Sequence, residues 1–215
     1  MGTKIKICGL TRPEEATYLN EIKADYAGFV FYEPSKRNLT VEKAREIFKE
    51  LNSDIKKVAV MVSPDKDLIT TLQKEDFDIL QIHKKLTVEV LREADRPVWY
   101  AVNIEDMGEL KKTTEYVRAL PRDLTKKITG LVVDAKNFGS GVTFNWQKSK
   151  DLKESFKLLF EGREFILAGG LSKENVAEGI TFFEPDTVDV SSKVEDENGK
   201  NKELIKEFAS SVRSV

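Results

Sequence analysis

Eight short apolar runs, separated by longer polar segments along the whole chain, restrict this sequence to very few folds. They are Lys4–Cys8, Tyr26–Phe31, Lys56–Val62, Ile79–His83, Val98–Asn103, Ile128–Asp134, Glu164–Ala168 and Thr187–Val190. Each is nearly continuous in apolar character, which is the pattern of strands covered on both faces in a parallel sheet. The segments between them predict helices at Pro13–Ile22, Val41–Leu51, Lys66–Lys74, Glu109–Ala119, Lys148–Phe160, Lys173–Ile180 and Glu203–Val212. The least regular such pattern falls around Thr87–Ala94. In Val41–Leu51, Val41, Ala44, Ile47, Phe48 and Leu51 recur at helical spacing with charge on the opposite face. Thr11 before Pro13, Thr40 with Glu42, and Ser172 with Glu174 supply helix start signals.

Strictly alternating strands and helices leave a doubly wound open sheet or an eightfold βα barrel. A doubly wound nucleotide binder should carry a glycine-rich fingerprint after its first strand. Here that strand runs into Cys8-Gly9-Leu10-Thr11 instead. Eight strands in 215 residues favour a barrel near its minimum length. No linker or composition shift divides the chain, so the expectation is one domain over residues 1–215.

Charge and cysteine content narrow the function. With 35 Lys+Arg against 37 Asp+Glu, the net charge of −2 gives no bulk attraction to nucleic acid or an anionic membrane. No apolar run approaches the roughly 20 residues of a membrane span. The start, Met1-Gly2-Thr3-Lys4-Ile5-Lys6-Ile7-Cys8, shows no signal-peptide stretch. A single cysteine cannot form an internal disulfide and suits a reducing compartment. Together these predict a cytoplasmic globular protein. One histidine and one cysteine, with no clustered partners, offer no metal-ligand spacing, so no metal is expected.

In a βα barrel the chemistry lies at the C-terminal ends of the strands. Those ends carry Cys8, the loop from Phe31 to Arg37, His83, Asn103, Asp134, Gly169-Gly170, and Asp189 to Ser192. Gly169 and Gly170 would let bare backbone N–H groups approach an anion, and Ser191 and Ser192 add hydroxyls beside them. The loops after strands seven and eight are the usual phosphate cradle of such barrels. The plainer reading of the two glycines is a tight turn. Cys8 is either a small buried hydrophobe or a reactive thiol. Asp134 is either a capping residue or a tuned acid. His83 suits a hydrogen-bonded rim as well as proton transfer. Arg37 could fork onto a carboxylate or simply solvate a loop.

Read in order, the motifs resemble those of the phosphoribosylanthranilate isomerase family. They are Lys6-Ile7-Cys8-Gly9-Leu10-Thr11-Arg12, Gly28-Phe29-Val30-Phe31-Tyr32 with Ser35-Lys36-Arg37-Asn38, and Leu80-Gln81-Ile82-His83. Val133-Asp134, Gly139-Ser140-Gly141, Thr143-Phe144-Asn145-Trp146 and Leu167-Ala168-Gly169-Gly170-Leu171 follow. Val188-Asp189-Val190-Ser191-Ser192, Glu195 and Gly199-Lys200 close the set, which spans nearly the whole chain.

The resemblance implies a single TIM barrel and a cofactor-independent Amadori rearrangement in tryptophan biosynthesis. N-(5-phosphoribosyl)anthranilate would become 1-(2-carboxyphenylamino)-1-deoxyribulose 5-phosphate. It implies Asp134 as general acid, Cys8 as general base and Arg37 on the anthranilate carboxylate. Gly169, Gly170, Ser191 and Ser192 would hold phosphate, with His83 and Asp189 positioning substrate. The only implied partner is this small molecule, bound by a monomer or homodimer. Two departures stand out: Lys84 where the family usually has glycine after the histidine, and Lys36 where a proline often precedes the arginine. Ala135-Lys136-Asn137-Phe138 is a variable stretch. Related phosphosugar barrels of histidine biosynthesis would be expected to show an aspartate where Cys8 stands. Indole-glycerol-phosphate synthase would carry a catalytic lysine and an N-terminal extension. A non-catalytic phosphometabolite binder would be expected to lose the acid or the base.

Overall fold

All eight predicted strands form with the same bounds, in a computed structural model that describes residues 2–103, 107–134 and 162–215. The elements run β1 (Lys4–Cys8), α1 (Pro13–Ile22), β2 (Tyr26–Phe31), α2 (Val41–Phe48), β3 (Lys56–Val62) and α3 (Lys66–Gln73). Next come β4 (Ile79–His83), α4 (Val88–Glu93), β5 (Val98–Asn103), α5 (Met107–Ala119), α6 (Arg122–Thr125) and β6 (Ile128–Asp134). The chain finishes with β7 (Glu164–Ala168), α7 (Val176–Phe183), β8 (Thr187–Val190), the short strands β9 (Glu195–Asp196) and β10 (Gly199–Lys200), and α8 (Lys202–Val212). Strands β1 to β8 pair in parallel and in sequence order, and β1 closes the barrel on β8 through pairs such as Ile5 with Val188. The predicted helix at Lys148–Phe160 and the motif from Gly139 to Trp146 lie outside the described residues.

Alternation along each strand divides the apolar side chains into two shells. Ile5, Ile7, Phe29, Met61, Leu80, Ile82, Leu131 and Leu167 belong to the core shared with Leu19, Ile47, Leu72, Leu91 and Phe208 of the helices. The other face builds the barrel interior from Tyr26, Val58, Val60, Ile79, Trp99, Ala101, Val132 and Ile166, with Cys8 among them. Truncating one such fully buried leucine or isoleucine to alanine typically costs about 2–5 kcal/mol.

The N-terminal end of the barrel is closed by a polar knot. Glu164 accepts hydrogen bonds from Lys4 (3.1 Å), Tyr26 (2.9 Å) and Thr187 (2.7 Å). Burial works against the charge on Lys4, but the hydrogen bonds to Glu164 and Tyr26 outweigh it and raise its pKa to about 12. That end is spent on stability, leaving the opposite mouth for chemistry.

Two helix caps differ from expectation. Helix α1 is capped at Arg12, not Thr11, because buried Glu15 reaches back to accept from the Thr11 and Arg12 amides at 2.7 and 3.3 Å. Helix α7 begins at Val176, not Lys173, because the Asn175 side chain accepts from Ser172 N and donates to Gly170 O. Those bonds hold the preceding turn outside the helix. Thr40 caps α2 as expected, accepting from Lys43 N. Among the described residues no helix is long and apolar enough to cross a membrane.

Candidate active site

The strand ends converge as the barrel geometry requires. Cys8, Gln81, His83, Asp134, Gly169, Gly170, Asp189, Ser191 and Ser192 all line one cavity of 240 Å³. A neighbouring cavity of 440 Å³ shares His83, Ala101 and Asp134 with it and adds Tyr32, Lys84 and Tyr100. A groove therefore crosses the barrel mouth, with Asp134 and His83 at its middle.

Glycine makes room for the thiol. A Cβ on Gly28 of β2 would lie 2.8 Å from Cys8 Sγ and 3.0 Å from Cys8 Cα, so only glycine there admits the cysteine side chain. Gly9 plays the corresponding part for Arg37, whose Cδ would stand 2.3 Å from a Cβ at that position. The arginine thus passes directly over the end of β1.

At the far wall, Gly169 (φ 91°) and Gly170 (φ 67°) both take left-handed backbone, where other residues are strained. A Cβ on Gly170 would meet nothing within 4 Å, so the space above it is open. The backbone beside that space is shaped by the Asn175–Gly170 hydrogen bond. Ser192 is exposed at the start of the 3-10 turn Ser192–Val194. Ser191 behaves differently: its hydroxyl donates to the Cys8 carbonyl at 2.8 Å and so ties β8 to β1.

The interior beneath the cavity is charged. Lys6, fully buried, donates through Nζ to Asp189 Oδ2 at 2.7 Å and, two residues before Cys8 on β1, projects to the same face as the thiol. Burial pushes the Cys8 thiol above its ordinary pKa, while Lys6 pulls it down, Asp189 pushes it up and Lys200 pulls it down. Burial likewise raises the Asp189 carboxyl, against the pull of Lys6. Gln81 Nε2 stands 2.8 Å from His83 Nε2 and fixes the ring from below.

Arg37 lines neither cavity. Its guanidinium forms a two-pronged pair with Glu195, Nε to Oε1 at 2.5 Å and Nη2 to Oε2 at 2.8 Å. Lys36 and Lys200 reach the same carboxylate at 3.0 and 2.5 Å. Burial acts to raise the Glu195 carboxyl, but hydrogen bonds from Arg37 and Lys200 win and hold it at about 2. Lys36, where the resemblance leads one to expect a proline, therefore adds an ion pair to this carboxylate. Lys84 adopts left-handed backbone at φ 61°, the conformation a glycine would take freely, and Tyr100 donates to its carbonyl at 3.2 Å. The loop after β4 keeps a glycine-like turn despite the substitution, at a strain on the order of 1 kcal/mol.

Sequence reasoning did not single out Lys6, Gln81 or the linking role of Glu195 and Lys200. The available signal was the spacing of Lys6 and Cys8, two apart on a strand and hence on one face. Among the described residues no cluster of three His, Cys, Asp or Glu side chains could hold a metal ion.

Comparison with known proteins agrees with this geometry. The family model described as N-(5'phosphoribosyl)anthranilate (PRA) isomerase matches residues 5–211. The N-(5'-phosphoribosyl)anthranilate isomerase of Thermoanaerobacter pseudethanolicus is 38% identical over 216 residues, covering 99% of this chain and 98% of that protein. The crystal structure of phosphoribosyl anthranilate isomerase from Thermotoga maritima superposes with a TM-score of 0.81 at 30% identity, covering 99% of this chain and 100% of that one. A second structure of a phosphoribosyl anthranilate isomerase, in complex with reduced 1-(o-carboxyphenylamino)-1-deoxyribulose 5-phosphate, gives a TM-score of 0.80 at 28% identity. It covers 99% of this chain and 100% of that one. With motif order, barrel topology and sequence identity all in agreement, the chain belongs to the N-(5'-phosphoribosyl)anthranilate isomerase family.

Proposed function

We propose that this chain, acting as one domain over residues 1–215 in the cytoplasm, isomerises N-(5-phosphoribosyl)anthranilate by an Amadori rearrangement. No metal or organic cofactor takes part. The observation that carries the reading is the meeting of Cys8 and Asp134 on one cavity whose far wall is the open, left-handed Gly169-Gly170 turn.

The phosphate sits over Gly169, Gly170 and Ser192, where backbone N–H groups are accessible without side chains in the way. Asp134 donates its proton to the ribose ring oxygen as the C1′–O bond breaks, leaving a protonated Schiff base. Cys8, as thiolate, then removes the proton from C2′, and the electron pair moves into the C1′–C2′ bond and neutralises the imine nitrogen. Tautomerisation of the resulting enolamine gives the ketose product. The two groups have opposite requirements, a carboxyl still protonated and a thiol already ionised, which acid–base pairs in one cavity must satisfy. Arg37, poised at the rim on Glu195, receives the anthranilate carboxylate.

Because anthranilate is fluorescent, the test is direct. Purified protein without added metal or nucleotide should consume freshly generated phosphoribosylanthranilate. Binding of a product analogue with no turnover would reject the isomerase reading in favour of a phosphometabolite-binding barrel.

A further inference from the structure

Lys6 occupies the middle of β1 with none of its surface exposed. An ammonium there is expensive to desolvate, and an apolar side chain would serve a purely structural role as well or better. Its surroundings point to another purpose. Nζ donates to Asp189 Oδ2 at 2.7 Å, and Lys6 lies two residues before Cys8 on β1, so both side chains project to the barrel interior, where the lysine's charge acts on the thiol. Among the described residues Asp189 Oδ1 is buried with no hydrogen-bond partner, so there the carboxylate is held mainly by this lysine.

We propose that Lys6 is a positioning residue for the isomerisation: anchored by Asp189, its ammonium stands beside the Cys8 sulfur and stabilises the thiolate. The proposal rests on the reading of Cys8 as the base. The charged groups around the thiol leave Lys6 as the one suited to this. Lys200 from β10 is committed to Glu195 and to Ser191 O, and Arg37 from the loop after β2 is committed to Glu195. Asp189 from β8 opposes ionisation, and His83 of β4 and Asp134 of β6 line the same cavity. Lys6 gives up no proton. Cys8 gives its proton to water when it ionises, and Lys6 remains an ammonium throughout.

Cys8 is the only cysteine, so the ultraviolet absorbance of its thiolate can be titrated alone, with Cys8→Ser as the blank. Lys6→Met should raise the thiol midpoint by about one pH unit or more, and Lys6→Arg should largely restore it. Asp189→Asn should move it the other way, since the opposing negative charge is gone. In turnover, Lys6→Met should lose kcat with KM nearly unchanged, and the acid limb of its pH profile should rise with the thiol midpoint. A folded Lys6→Met protein whose thiol titrates like wild type overturns the proposal. If Lys6→Met does not fold, Lys6→Gln, which can still hydrogen-bond Asp189 but carries no charge, decides: a raised thiol midpoint supports the proposal and an unchanged or lowered one overturns it. The titration needs no substrate, so a wild-type protein that fails to isomerise rejects the proposed function without obscuring this result.

Discussion

Arg37 and Glu195 meet side-on across the barrel mouth, with two parallel hydrogen bonds of 2.5 and 2.8 Å between residues 158 apart in sequence. The pair joins the loop after β2 to the hairpin of β9 and β10, and Lys36 and Lys200 complete it. Replacing Glu195 with alanine leaves three cations facing one another, one of them, Lys200, buried. Denaturant unfolding should show a loss of about 3 kcal/mol, the usual cost of removing one partner from a buried pair.

The same carboxylate sets an acid limit. In the folded protein Glu195 titrates at about 2, below the ordinary 4.5 of a glutamate. A depressed carboxylate contributes stability that is fully present above pH 4.5 and is lost as the pH falls through about 2. Melting temperatures measured across that window should fall more steeply in the native chain than in Glu195→Gln. Parallel curves would remove Glu195 as their source.

Catalysis should separate into two kinds of loss. Cys8→Ser and Asp134→Asn should each lower kcat by about 10²-fold or more while affinity for a product analogue is largely kept. Arg37→Ala should act mainly on KM, because a carboxylate clamp holds ground state and transition state alike. Steady-state kinetics distinguish these outcomes, and wild-type rates in either of the first two variants would sink the role assigned to it.

Gly28→Ala tests the space behind the thiol. The added Cβ would sit 2.8 Å from Cys8 Sγ and 3.0 Å from Cys8 Cα, the second a backbone atom that cannot swing away. Activity should fall about 10-fold or more although every proposed catalytic residue is still present, because a small displacement of a reacting group is enough. Retention of full kcat would show that the cysteine does not need its present position.

Much of this was legible in the sequence because of where apolar side chains must go. A strand covered on both faces cannot contain a long polar stretch, so the eight runs marked the barrel and their last residues marked its mouth. Cys8, His83, Asp134, Gly169, Gly170, Asp189, Ser191 and Ser192 do come together. Two local choices stayed hidden because neighbouring residues compete to cap: Asn175 delays helix α7 by bonding to Gly170, and Glu15 moves the cap of α1 to Arg12. The rest depended on contacts between distant segments. Arg37 showed its charge in the sequence but not its grip on Glu195. Nothing local marks Lys6, because a lysine within a strand looks like a surface residue until a carboxylate from the other end of the chain is brought against it.

That last circumstance bears on synthesis. Lys6 and Asp189 are separated by 183 residues, and so are Cys8 and Ser191, whose hydroxyl completes the seam between β1 and β8. In a chain whose eighth strand is not yet made, water solvates the ammonium of Lys6 and bonds the Cys8 carbonyl, so nothing draws either group out of solvent. Burial of Lys6 and the β1–β8 seam both wait for residues 187–191, and a chain cut short before β8 would lack the carboxylate that holds Lys6 and the hydroxyl that bonds Cys8.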